Sequence, residues 1–296
     1  LAQKVNITLQ IGTLFDGSDN LHHSLRKNLP LLKRLDVLVP KPHWYTDRLM
    51  NLVAELAGAP ADKEQLVELW ADLRNAQTGH RTVLSEPRLL AKENELFGRG
   101  MFLPSGHRRP TMVRSSFGAE INTEFFLSLR NPASLVDAAL RHFDSRDLDG
   151  LLVGTDPFSI RWSDVIARLR TENPASPIVV WMKEEQPYAW PQLMHMAAGF
   201  HGPVMTSGVA DAVASVLRPE VATHLEAYLK KYDNYDPEFL ARAFEHFAQK
   251  YAAPDQRVEV IDVPGWSAQT VSDLTAAYME DLDAVSRIEG ITFLSA

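Results

Sequence analysis

VNITLQIGTLFDGSDNLHHSL, running from Val5 to Leu25, reads as an apolar strand ending at Ile11, a turn carrying Gly12 and Gly17, and then a helix. Leu21, Leu25, Leu29, Leu32 and Leu35 continue the helix at three- and four-residue intervals. Pro30 breaks or restarts it, because proline has no N–H for the preceding turn. Asp36 to Val39 is a short strand stopped by Pro40 and Pro42. Strand, helix and strand in that order predict the first crossover of a parallel sheet.

The alternation continues outward from there. Amphipathic helices are expected over Thr46 to Ala57 and Asp62 to Ala76, then a strand over Thr82 to Ser85 that runs into Glu86, Pro87 and Arg88. Gly98 to Gly118, with Arg99, His107, Arg108, Arg109 and Arg114, reads as an irregular segment with a local positive excess. Strands are expected at Phe125 to Leu129 and Ile178 to Met182, and helices at Leu135 to Phe143, Trp162 to Thr171 and Tyr188 to Ala198. Ser207 to Ala252 turns helical, and Val258 to Val263 reads as a late strand. Ser267 caps a helix reaching about Ile288, and Ile291 to Leu294 is a last edge strand. The whole, residues 1–296, is expected to be one α/β domain of three αβα layers on a mainly parallel sheet, with a helix-rich part from about 207 to the end. Val5 to Ile11, Thr82 to Ser85, Phe125 to Leu129 and Ile178 to Met182 should be neighbouring strands, since strands covered on both faces are largely apolar.

Composition narrows the function classes. The 296 residues are 45% hydrophobic and 23% charged, ordinary globular usage that leaves no room for long disorder. A formal charge of −8 and a pI near 5.7 work against non-specific nucleic-acid binding, because no surplus of Lys and Arg exists to release counterions. With no cysteine, disulfides, thiolate metal sites and thiol nucleophiles are excluded. No apolar run approaches membrane-spanning length and the start lacks a signal-peptide form, so a soluble, cytoplasmic protein without membrane partners is expected. The first residue is Leu, which leaves room for a trimmed upstream piece; the oligomeric state is not written in the sequence.

Gly12 and Gly17 have the spacing of a phosphate loop, whose backbone N–H groups and following helix cradle an anion. A nucleotide-phosphate loop then needs Lys and a hydroxyl residue, but Ser18 and Asp19 stand there, so ordinary ATPase or GTPase chemistry is excluded. Asp16 and Asp19 read as helix caps or as a relocated acid pair. His23, four residues after Asp19, shares its helix face, but two ligands do not make a metal site, and no metal is expected.

Strand, Ile11-Gly12, a short turn and a helix opening near Gly17 together resemble the 5′-phosphosulfate loop of the PAPS-dependent sulfotransferases. That family commonly reads HIGxxKTGTT. Ile11, Gly12 and Gly17 keep the frame, while Gln10, Phe15, Asp16, Ser18 and Asp19 stand in place of histidine, lysine, threonine and the two final threonines. The resemblance also touches Arg130-Asn131-Pro132, since the family binds the 3′-phosphate with an arginine at a strand end, often as RNP, and a serine eight residues on. Here the later position is Ala138, and Ser134 lies nearer. The similarity covers about the first 140 residues in its specific part. It implies a P-loop, sulfotransferase-like fold, with Gly12, Gly17, Ser18, Arg130 and Ser134 about a ligand such as PAPS or 3′,5′-adenosine bisphosphate. In parts of the family a carboxylate placed like Glu86 deprotonates the acceptor hydroxyl; Glu86 also reads as a helix-start carboxylate paired with Arg88.

Three functions follow from the resemblance: a sulfotransferase-like protein that has lost standard sulfate transfer with its loop lysine, an active transferase for a hydroxylated small molecule or sugar with a relocated cation, and a non-enzymatic interaction module. Wild-type protein is expected to bind 3′,5′-adenosine bisphosphate weakly or not at all. Changing Phe15→Lys, Asp16→Thr and Asp19→Thr together removes two repulsive charges and adds one attractive charge, each worth about 1 kcal/mol at a partly exposed site. Calorimetry on the folded triple variant should show affinity raised by roughly two orders of magnitude; no gain would mean that the loop frame does not form an anion site.

Overall fold

The computed structural model describes residues 5–12, 15, 20–57, 59–62, 64–65, 67–68, 71, 79–118, 120–200, 207–229, 231, 236–252 and 260–295. Its centre is a six-stranded, all-parallel sheet in the order β2-β3-β1-β6-β7-β8. The strands are β1 (Val5–Gly12), β2 (Val37–Leu38), β3 (Arg81–Ser85), β6 (Ile121–Leu129), β7 (Ile178–Met182) and β8 (Ile291–Leu294). The four expected inner strands are consecutive neighbours, with β3 and β6 each running parallel to β1, and β7 parallel to β6. β8 closes one edge against β7, and β2 closes the other against β3.

Two apolar layers sandwich this sheet. On the first face Ile7, Leu9, Ile11, Leu84, Phe125, Leu127, Ile178 and Val180 belong to one buried cluster. It is covered by α3 (Thr46–Leu56), α4 (Arg108–Phe117), α5 (Pro132–His142), α7 (Trp162–Glu172) and α12 (Ala268–Ser286). On the second face Val83, Phe126, Val179 and Trp181 meet α1 (Asn20–Arg26), α2 (Leu29–Arg34) and α8 (Gln186–Ala198). Only the step from β1 back to β2 travels toward that edge, and its helices lie on the second face. The forward steps β2 to β3, β3 to β6 and β6 to β7 carry their helices on the first, as a single crossover hand requires. The remaining helices are α6 (Leu148–Leu152), α9 (Asp211–Ala214), α10 (Pro219–Leu229) and α11 (Pro237–Tyr251). Of these, α9, α10 and α11 pack round their own cluster of Val213, Leu225, Leu240 and Phe244.

β1 carries Thr8 and Gln10 buried on the second face, and Thr8 has its partners there. Thr8 Oγ1 donates to the carbonyl of Ala197 at 2.9 Å and accepts from Arg81 at 2.6 Å; Arg81 also pairs with Glu124 at 2.6 Å. The guanidinium thus lies across the C-terminal end of α8, where the helix dipole favours a cation. Gly199 ends α8 at φ +60°, and a Cβ there would overlap the Arg81 guanidinium. Glycine is required at 199 for both reasons.

Several element boundaries differ from the sequence reading. Gly98 to Gly118 is not irregular: Phe97–Gly98 (β4) and Met101–Phe102 (β5) form a hairpin, followed by α4. Arg99 and Gly100 both take positive φ, as the two central residues of a type I′ turn must. An arginine in that role carries none of the Asn-Gly signal, which hid the hairpin. Residues 260–263 are extended chain without a strand partner, so the late strand is absent from them, and Val258 lies outside the described residues. Most of the Asp62 to Ala76 helix lies outside them as well. The leucine run after the first loop is broken as Pro30 demands, into α1 and α2.

One long-range contact holds the C-terminal helix to the middle of the chain. α7 has no side-chain cap of its own; instead Asp281, buried in α12, accepts the backbone N–H of Trp162 at 2.6 Å and of Ser163 at 3.3 Å, and the Ser163 hydroxyl. A carboxylate at a helix start satisfies orphan donors and opposes the dipole. Asp281→Ala leaves these donors buried and unpaired, and urea denaturation should show a loss of about 2–3 kcal/mol; a change below about 0.5 kcal/mol would show that water replaces the carboxylate.

Candidate functional site

In a parallel sheet every strand ends at the same edge, so Gly12, Ser85, Leu129 and Met182 bring their loops together. The chain leaves β1 toward α1 on the second face and leaves β6 toward α5 on the first. Adjacent strands whose connections diverge open a crevice, the usual ligand position in open α/β sheets. Gly12 and Arg130 therefore lie at the same edge, whereas Phe15, the one described residue between Gly12 and α1, sits against the far end of α5.

At the end of β1 a register shift between Gln10 and Gly12 inserts one residue against β6. A Cβ on Gly12 would overlap Leu127 Cδ1 and sit 3.0 Å from Leu90 Cδ2. Packing alone thus demands glycine here. Phe15 takes φ +65°, and its ring lies 5.1 Å from that of His142 and edge-on 5.8 Å from that of Phe143. The side chain standing at the family's lysine position is an apolar ring held against the end of α5. Asp16, Gly17, Ser18 and Asp19 lie outside the described residues.

At the end of β3, Glu86 is only 2% exposed and caps the short 3-10 turn Pro87–Leu89. Its Oε1 accepts Arg88 N at 3.1 Å and Nε at 2.8 Å, while Oε2 accepts Nη2 at 2.7 Å. Arg88 reaches on to Asp47 at 3.4 Å. The bond to Glu86 raises the guanidinium pKa further above its ordinary value. Tyr45 braces the preceding residue: its hydroxyl accepts Ser85 N–H at 2.8 Å and donates to Ser85 O at 3.0 Å.

At the end of β6, Arg130 is half-buried, with Nε donating to Ser134 Oγ at 3.0 Å and its carbonyl accepting Trp162 Nε1 at 2.8 Å. Ser134 is buried and also donates to Asn131 O at 3.3 Å. Asn131 caps α5 through Ala133 N, with Pro132 in the first helical position where its missing N–H costs nothing. The Asn-Pro of the motif thus has a capping explanation of its own. The Asn131 side-chain amide donates to Thr275 in α12 at 2.9 Å, and its backbone N–H donates to Glu184 Oε1 at 2.8 Å.

Glu184 and Tyr278 complete this cluster, and neither stood out in the sequence. The Tyr278 hydroxyl lies 3.2 Å from Leu129 O and 3.3 Å from Glu184 Oε2. Glu184 is exposed along one flank, yet the protein crowded round its carboxylate raises its pKa, against the donors from Asn131 and Tyr278 and the charge of Arg130. Burial, and then Glu184 itself, raise the Tyr278 pKa, so the phenol keeps its proton. Glu184 stands beside Glu185 just after β7, and Tyr278 follows Leu129 by almost 150 residues. No local pattern joins them.

The basic residues of the hairpin and α4 do not form one patch. Arg109 pairs with Glu95, His107 lies 3.3 Å from Glu172, and Arg114 donates to Asn173 at 3.0 Å. Among the described residues no group of three or more His, Asp or Glu is placed to hold a metal, and no helix is long and apolar enough to cross a membrane. Compared with family models, curated proteins and solved structures, the chain matches none of them.

His22, on α1 beside the same edge, is 2% exposed, and its Nε2 has no partner among the described residues. Burial, followed by the charge of Arg26, lowers its pKa from 6.5 to about 4, against a hydrogen bond to the Pro40 carbonyl. A depressed histidine pKa means that folding favours the neutral ring. This stability is fully present above about pH 6.5 and is lost as pH falls toward 4. At roughly 1.4 kcal/mol per unit it is worth about 3 kcal/mol. Urea denaturation at pH 7 and pH 4 should therefore show the wild type losing about 3 kcal/mol more than His22→Gln; equal losses would show that His22 stays neutral at pH 4 or is solvated.

Proposed function

We propose that the chain is a sulfotransferase-like α/β protein that does not carry out PAPS-dependent sulfate transfer, and that what remains at the carboxyl edge of its sheet is at most a binding site. The observation that carries this reading is the double occupancy of the two positions the chemistry would need. Glu86 is the carboxylate placed to take a proton from an acceptor hydroxyl, and both its oxygens already accept hydrogen bonds from Arg88. Phe15 stands where a lysine would meet the charge developing on the leaving group, and its ring packs on His142 and Phe143. Electrostatic stabilisation of that charge is worth several kcal/mol in a dry site, so losing the cation alone removes most of the rate.

One feature favours the second reading, an active transferase with a relocated cation. Arg130 lies at the end of β6, the neighbour of β1, where a guanidinium suits bidentate phosphate binding, and Ser134 is already bonded to it.

Radiolabelled PAPS with a panel of phenolic, aliphatic and sugar alcohols separates the two. The expected result is no sulfated product above the protein-free control, and no calorimetric heat from 3′,5′-adenosine bisphosphate at micromolar concentrations. Turnover that falls by about a hundredfold or more in Glu86→Gln would overturn the proposal in favour of the active enzyme, whereas micromolar binding without turnover that disappears in Arg130→Ala would mark the retained binding site.

A further inference from the structure

A second concavity lies at the far end of α5 from Ser134. It has a volume of about 320 Å³, at the small end of the range for ligand pockets. Its wall is apolar: Leu96 and Phe97 from the turn before the hairpin, Leu140 and Phe143 from the end of α5, and Leu151 and Val153 from α6 and the residue beyond it. Phe143 and Val153 remain 39% and 53% exposed, although both have an apolar cluster beside them.

The polar part of the wall is small and of one sign. Asn94, Ser145 and Asp147 supply it, and no lining residue is basic. Asp147 Oδ1 caps α6 by accepting Gly150 N–H at 2.9 Å. Its other oxygen has no hydrogen-bond or ion-pair partner among the described residues. The neighbouring Arg146 is turned away to Asp262 at 2.8 Å, so it does not neutralise Asp147, and Asp144 and Asp149 add to the negative field. Val153 shapes the last stretch of wall at φ +48°, a conformation a β-branched residue adopts only where the surrounding structure imposes it.

From the cavity, its two phenylalanines and the half-used carboxylate we infer that this site binds a small amphipathic amine: an ammonium group at Asp147 joined to an aromatic or short aliphatic body lying between Phe97 and Phe143. Apolar walls reward the body, a carboxylate rewards the cation, and an anion of the same shape meets like charge. The site shares Phe143 with the ring contact of Phe15 but neither Glu86 nor Arg130, and amine binding is read out without any sulfate donor, so its failure is distinguishable from failure of the sulfate-transfer reading.

Isothermal titration at pH 7 with 2-phenylethylamine, 2-phenylethanol and 3-phenylpropionate tests charge at nearly constant shape. The amine should bind saturably, the alcohol about fivefold more weakly, and the carboxylate more weakly still. Asp147→Asn keeps a residue that caps helices well and should abolish the preference for amine over alcohol. Leu151→Trp fills the cavity and should remove binding of all three compounds; circular dichroism confirms that this variant folds, and Asp147→Asn decides the question if it does not. No binding of the amine at millimolar concentration, equal binding of amine and carboxylate, or an unchanged preference in Asp147→Asn would each overturn the inference.

Discussion

A parallel strand cannot reach its neighbour without carrying the chain back across a face of the sheet, and β1 has such neighbours on both sides. That constraint organises the molecule. Ile7, Leu9 and Ile11 are completely buried on the first face, while Thr8 and Gln10 are buried on the second, so both sides of the strand need a covering layer. The chain provides them by sending β1 out to one face and β3 and β6 out to the other. The same divergence collects Gly12, Glu86 and Arg130 at one edge. Position there is a consequence of topology, and the chemistry depends on which side chains the loops then deliver.

Those side chains are mostly committed to one another. Glu86 is bound to Arg88, Arg88 also to Asp47, and Arg109 to Glu95. Arg130 and Glu184 are tied into α5 and α12 through Ser134, Asn131 and Tyr278. Glu86 is the buried member, and removing Arg88 would leave its charge without a partner. A ligand anion entering the crevice would have to compete with carboxylates already in place.

The sheet was legible because its inner strands are short, apolar and bounded by turn residues, as at Ile178 to Met182 and Phe125 to Leu129. Caps were legible too, Ser267 among them, since a cap is a contact within four residues. The hairpin at 97–102 was hidden because Arg99 occupies a left-handed turn position that the sequence habitually gives to Asn or Gly. The site was half legible. Glu86 and Arg130 lie next to strand ends and can be read from neighbours in the chain, but Tyr278 and Asp281 meet their partners across 94 to 149 residues. Gly12 carries a further lesson: the residue that looked most like a phosphate-binding signature is glycine in any case, because Leu127 leaves no room for a Cβ.

Asp281 completes the start of α7 and β8 covers the open edge of β7, and each lies more than a hundred residues after the element it completes. Until those residues are made, β7 exposes an unpaired backbone edge flanked by Val179, Val180 and Trp181, a surface suited to pairing with another nascent chain. A chain cut short before Asp281 would keep its inner strands and lose both seals at once, leaving a sticky sheet edge for chaperones and proteases to handle.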